Sequence, residues 1–209
     1  MLLLALLACD SNTVVDQPGI VSNISTNPSQ ELRFYGNPSI NGSDTANYQI
    51  PSFSFLDQDS QIITNSTFSD KVYVVDFFFT SCPTICPKVK QQMLRLYEKF
   101  EGNQEVAFLS HSIDTRHDSV PVLKDYANKM EVSSDRWHFV TGNKDDIYEM
   151  ADAYFIVAKE DPTAPGGFDH SGRLILIDKN RHVRAHCNGT DPEDVDRMMA
   201  DINLLLNEK

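Results

Sequence analysis

The chain has 209 residues, enough for one domain with a full core and some extra length. Its hydrophobic content of 41% is ordinary for a globular protein, and a net charge of -12 argues against a nucleic-acid partner, which needs basic patches. Past the N-terminus no apolar run approaches the roughly 20 residues of a membrane-spanning helix.

The chain begins MLLLALLACD, with an apolar core from Leu2 to Ala8 and no basic residue before it. "LLAC" resembles a bacterial lipobox, in which the cysteine becomes the acylated first residue of the mature protein. Residues 1–9 then form a lipoprotein-type signal and Cys9 carries the lipid; a chance apolar start with a free thiol is the alternative. Acylation implies a domain anchored to a membrane of a bacterial cell envelope, on the extracytoplasmic side, where thiols meet oxidants. Residues 10–49 are rich in Ser, Asn, Thr and Pro, with turn chemistry in "YGNPSINGS", and read as a tether and irregular segment.

The compact domain is expected over residues 50–209. "FSFLDQDSQIIT" reads as a hairpin turning at Asp57–Ser60. "KVYVVDFFFT" (Lys71–Thr80) and "EVAFLSHS" (Glu105–Ser112) are apolar runs typical of strands buried on both faces. Val89, Met93, Leu96, Tyr97 and Phe100 share one helical face, and Val122, Leu123, Tyr126, Ala127 and Met130 mark a second helix. "WHFVT" is a short strand, followed by a third helix with Asn143 as N-cap. "RLILID" and "HVRAHC" flank a turn at Lys179–Asn180. The last helix has Asp191 as N-cap, Pro192 at its first position, and Val195, Met198, Met199, Ile202, Leu205 and Leu206 on its apolar face. The order predicts an α/β fold of thioredoxin-like pattern: a central mixed sheet flanked by helices, with an N-terminal β-hairpin extension.

Two of the four cysteines, Cys82 and Cys86, follow the first buried strand, and each precedes a proline. Ligand and redox sites gather at that end of open α/β sheets. Cys82 is expected to cap a helix with Pro83 at its first position, and Pro87 to break and restart it, so both sulfurs would gain thiolate character from a helix start. Four helical residues rise about 6 Å, within the roughly 4.4–6.8 Å Cα separation of a disulfide, so the pair can be bridged. It can equally hold a soft metal ion, since thiolates select Cu(I), zinc or iron–sulfur. Two cysteines are too few for a usual iron–sulfur cluster, structural zinc wants a fourth ligand such as His138 or Cys187, and Cu(I) accepts three. Of the six histidines, His111, His117, His138, His170, His182 and His186, spacing selects none as the third ligand.

"FFFTSCPTICP", "SIDTRHDS" and "FDHSGRLILID" together resemble the Sco (SenC) family of membrane-anchored copper-binding proteins, over roughly residues 50–206. The resemblance implies a thioredoxin-like fold and a copper site of two cysteines and one histidine. The family's T-x-C-P-x-x-C-P falls on Thr80 to Pro87, which gives Cys82 and Cys86. Its D-H-S before a strand falls on Asp169 to Ser171, which gives His170. Thr115 and His117 depart from the family's S-x-D-P-x-R-D, standing for its proline and arginine. The implied role is delivery of copper (Cu(I) or Cu(II)), or reduction of cysteines, during assembly of the binuclear copper centre of a cytochrome oxidase, whose copper-bearing subunit would be the partner. The alternative is a thiol–disulfide reductase of the thioredoxin superfamily acting on extracytoplasmic proteins.

Other residues carry two readings each. Asp76 is a proton shuttle for the thiols or a hydrogen-bonded polar residue in a sheet. Asp114 and Asp118 form a hard-metal site, or cap the next helix and order its loop. Cys187 is a third redox thiol or a small core residue. Met198 and Met199 form a copper-trafficking surface or pack the core, where Trp137 also belongs.

Overall fold

The computed structural model describes residues 31–41 and 44–208, so Cys9 and the lipobox lie outside the described residues. The strands and helices run in chain order as β1 (Ser39–Asn41), β2 (Asp44–Ala46), β3 (Ser54–Asp57), β4 (Ile62–Thr64), β5 (Val72–Phe78), α1 (Cys86–Lys99), β6 (Val106–Ser112), α2 (Val120–Lys129), β7 (Trp137–Thr141), α3 (Lys144–Ala153), β8 (Ala158–Glu160), β9 (Phe168–His170), β10 (Arg173–Ile177), β11 (Val183–Asn188) and α4 (Pro192–Asn207). Among the described residues no helix is long and apolar enough to cross a membrane.

Seven strands form one mixed sheet in the order β11-β10-β5-β6-β7-β3-β4. β5, β6 and β7 are parallel, with Asp76 level with Ser110 and Phe78 level with Ser112. β10 runs antiparallel to β5, and β3 antiparallel to β7. Every residue of β5 and β6 is buried, Asp76, Ser110, His111 and Ser112 included, as expected of central strands covered on both faces. This is the thioredoxin-like arrangement expected, with the β3–β4 hairpin completing one edge of the sheet and β1–β2 forming a separate antiparallel pair before it.

Contacts divide the helices between the two faces. Lys90 of α1 lies over the Tyr126 ring of α2, and Arg95 of α1 pairs with Asp196 of α4 at 2.6 Å, which puts these helices on one face. Tyr154, at the end of α3, sits beside Phe77 and His111, which strand alternation points to the other face. Asn143 caps α3 by accepting from the Asp145 and Asp146 N–H groups, and Asp191 caps α4 by accepting from Glu193. Met198 is buried in the α4 face and Met199 is packed beside the core, so both methionines serve packing; Trp137 is buried as well.

Several boundaries differ from expectation for local reasons. Cys82 does not cap a helix: Pro87 has no N–H to donate back to Pro83, so no turn forms from Pro83, and α1 starts four residues after Cys82, at Cys86. The β10–β11 turn spans residues 178–182 rather than two residues, because a bulge shifts the register between Leu176 and Ile177. Val122 is exposed on α2, whereas Leu123 and Ala127 face the core. Residues 32–35 lie against the body: Tyr35 donates its N–H to the Val183 carbonyl, and Arg184 donates to the Leu32 and Arg33 carbonyls. Arg184 is itself buried, between Asp178 and a bidentate Glu208.

Candidate metal centre

β5 delivers the chain to the C-terminal edge of the parallel strands. There a turn closes with the Cys82 N–H on the Phe79 carbonyl at 3.2 Å. Cys86 opens α1, whose first turn is secured by Lys88 and Val89 N–H groups on the Ile85 carbonyl. The third participant arrives from another direction. β8 and β9 form a small antiparallel hairpin in which Ala158 faces His170, and Ser171 donates to the Val157 carbonyl. The hairpin is pressed onto the cysteine turn through Phe79, whose ring lies 4.9 Å from Phe168 and 5.6 Å, edge-on, from His170. Gly166, at φ +80, fits where any Cβ would come within 2.7 Å of the Phe79 ring and 3.2 Å of Pro83.

His170 Nε2 lies 3.5 Å from Cys86 Sγ and 3.8 Å from Cys82 Sγ. The three donor atoms all fall within 4.8 Å of one another. Both sulfurs are buried and the imidazole is half-buried. Burial pulls His170 below its ordinary value, against the backbone at Ser171 and Phe77 and the Asp169 carboxylate, so the ring is neutral and offers a lone pair. Its Nδ1 is buried without a partner.

The two thiols are not equivalent. Burial raises Cys82, but hydrogen bonds from the Cys86 thiol, the Thr84 and Cys86 N–H groups and the Thr84 hydroxyl outweigh it and leave Cys82 below its ordinary value. Burial pushes Cys86 far up, and the neighbouring Cys82 pushes it further. The expectation that both sulfurs gain thiolate character from a helix start is therefore corrected: Cys82 lies ahead of α1 and is acidified by its hydrogen bonds instead, and at Cys86 desolvation outweighs the helix start.

None of the other histidines joins this group. His138 pairs with Asp57 at 3.0 Å, His182 with Asp178 at 3.1 Å, and His117 with Asp114 at 2.8 Å. His186 packs against Tyr35, and His111 is fully buried between Phe77 and Phe55. Cys187 is buried against Met198 at 3.7 Å, so neither it nor His138 supplies the fourth ligand of a zinc site. Asp114 orders its loop by holding His117, and no hard-metal group of Asp114 and Asp118 forms. Asp118 caps nothing: Ser119 is the N-cap of α2, and Asp118 accepts instead from Thr80 and Ser112. Nothing in the spacing signalled that contact, which spans 38 residues. Asp76 accepts from the Ser110 hydroxyl, itself bonded by the Trp137 indole at 2.9 Å, as a satisfied polar residue in a sheet does. A cavity of about 10 Å³, roughly one water in size, lies among Asp76, Ser110, Cys86 and His170.

The fold and the cluster define a thioredoxin-like domain that gathers two cysteines and a histidine at the switch end of its sheet. The SCO1/SenC family model matches residues 41–207, and the chain belongs to that family. The SCO1 protein homolog of Bacillus subtilis (strain 168) is 29% identical over 161 residues, 76% of this chain and 83% of that protein. A Stutzerimonas stutzeri protein named for copper binding is 28% identical over 144 residues, 66% of this chain and 68% of its own. Among solved structures, a SCO1/SenC family lipoprotein from Bacillus anthracis str. Ames superimposes with a TM-score of 0.69 at 26% identity, covering 76% of this chain and 95% of that one. BsSco, described as a Sco-family cytochrome c oxidase assembly protein with a disulfide switch, gives 0.70 at 26% identity, covering 86% and 100%.

Proposed function

We propose that the chain binds copper through Cys82, Cys86 and His170 and acts in the assembly of a cytochrome oxidase, by delivering copper to its binuclear centre or by keeping the receiving cysteines reduced. The observation that carries this reading is the convergence of His170 Nε2 on both sulfurs. Two thiolates suit Cu(I), and an added imidazole suits Cu(II) as well, so one donor set serves both oxidation states. The neutral ring supplies a donor with no proton to displace, and Cys82, acidified by its hydrogen bonds, gives up its proton more readily than Cys86. The histidine comes on its own hairpin, so its withdrawal would leave a two-coordinate dithiol from which cargo passes on.

The relatives support the reading. One is named for copper binding, and another for cytochrome c oxidase assembly. The lipoprotein relative accords with a lipid anchor at Cys9 and an extracytoplasmic domain held at a bacterial membrane. Titration of the purified protein with Cu(II) tests the site: a thiolate-to-copper charge-transfer band is expected, weakened at least tenfold in affinity in His170→Ala. A variant binding as tightly as wild type would remove His170 from the site.

A second reading is thiol–disulfide exchange with an extracytoplasmic partner, favoured by the inequality of the two thiols. Cys82 attacks a partner disulfide, releasing one partner thiol; Cys86 then attacks the mixed disulfide, releasing the second thiol and leaving Cys82–Cys86 oxidised. Failure of the reduced protein to open any model disulfide would exclude it.

A further inference from the structure

We propose that Asp118 is a positioning residue for the dithiol, holding the turn that presents Cys82 to Cys86 and His170. The chain makes one helical turn after β6, with the His117 and Asp118 N–H groups on the Asp114 carbonyl, and so folds the Asp118 side chain back over the ends of β5 and β6. Asp118 is buried. Its carboxylate accepts from the Thr80 N–H at 3.0 Å, the Thr80 hydroxyl at 2.5 Å and the Ser112 hydroxyl at 2.6 Å. The Ser112 hydroxyl in turn accepts from the Asp114 N–H, so its own proton is free for Asp118.

Thr80 is the first inner residue of the Phe79–Cys82 turn. It is gripped by main chain and side chain together, so the turn cannot pivot at its entry. On its other side the turn is confined by Gly166 against Phe79 and Pro83. Nothing else in this arrangement needs a buried carboxylate: three donors converge on an acceptor-only group, and the helix that follows is capped elsewhere. Asp118 touches neither sulfur and acts through the loop.

The consequence is read in the dithiol–disulfide equilibrium. Cys82 and Cys86 give two protons and two electrons to glutathione disulfide, producing one intramolecular disulfide and two glutathione thiols. The more firmly Cys82 is held near Cys86, the higher their effective concentration and the more the disulfide is favoured. This inference rests on the proposed use of the two cysteines but does not require copper.

The test equilibrates full-length wild type, Asp118→Asn, Thr80→Val and Thr80→Ser in glutathione buffers, with near-ultraviolet circular dichroism as a check on folding. Asp118→Asn and Thr80→Val should shift the ratio toward the dithiol by about threefold to tenfold, the span one hydrogen bond supplies. Thr80→Ser, which keeps the hydroxyl, should stay within about twofold of wild type. If Asp118→Asn does not fold, Thr80→Val carries the test, because it leaves the carboxylate in place. Natively folded variants that match wild type would overturn the proposal, as would a wild-type pair that stays reduced at every ratio. Absence of copper binding would sink the functional reading above and leave this measurement intact.

Discussion

Two buried groups on opposite faces of the sheet make opposing demands on pH. His111 is fully buried, stacked on Phe77 at 4.7 Å and edge-on to Phe55 at 5.3 Å, with both ring nitrogens unpartnered. Burial lowers it from 6.5 to about 3. It stays neutral when folded but takes a proton in the unfolded chain below 6.5, so its contribution is complete above that value and is lost as pH falls. Between pH 7 and pH 5 the loss is about 2 kcal/mol. Asp76 is raised from 3.8 to about 7 by burial, against the Ser110 hydrogen bond. It takes its proton in the folded state first, so the same pH change adds about 2 kcal/mol. In the wild type the two offset each other. His111→Leu should therefore become more stable by about 2 kcal/mol at pH 5 than at pH 7, relative to wild type, and Asp76→Asn should do the reverse. Urea denaturation followed by Trp137 fluorescence, under reducing conditions, measures both differences, and titrations elsewhere cancel in the comparison. Parallel pH dependences, within about 0.5 kcal/mol, for wild type and His111→Leu would refute the reasoning.

Three further outcomes are expected. Arg184→Ala removes a buried guanidinium's bonds to Asp178, Glu208 and the Leu32 and Arg33 carbonyls, while Asp178 keeps His182 and Glu208 is solvated, so it should lose about 1–3 kcal/mol, read as a fall in melting temperature. Iodoacetamide at neutral pH should label Cys82 well before Cys86 and leave Cys187 unlabelled in the native state; peptide mapping by mass spectrometry checks the order. Gly166→Ala meets both a positive φ and the Phe79 ring, and should displace the hairpin carrying His170; copper affinity falling while the circular dichroism stays native would verify it.

The sheet was legible because its central strands are unmistakable. Val72–Phe78 is apolar but for Asp76, and Val106–Leu109 opens β6 with four apolar residues in a row; such runs without alternation mark strands covered on both faces. The helices were legible from apolar spacing, although Val122 misled by standing next to Leu123 on a helix only partly buried. The β8–β9 hairpin was not legible, since Ala158–Glu160 and Phe168–His170 are three-residue strands whose polar composition carries no alternation. Within the site, the sulfurs followed from the motif after a buried strand. The choice of His170 over the other histidines came from family resemblance, and the distances to Nε2 agree with it. The Asp118–Thr80 contact depends on how two distant loops meet, which no local pattern encodes.

The segment from Leu32 to Tyr35 fixes where the chain joins the body. Tyr35 bonds Val183, which is level with Ile177 and, through it, with Tyr73 near the beginning of β5. The sulfurs lie past the opposite end of that strand, about 20 Å away along it. The body thus has a rear pole where its backbone enters and a front pole where its soft donors sit. Whatever reaches the cluster meets the end of the sheet opposite the one that holds Leu32–Tyr35.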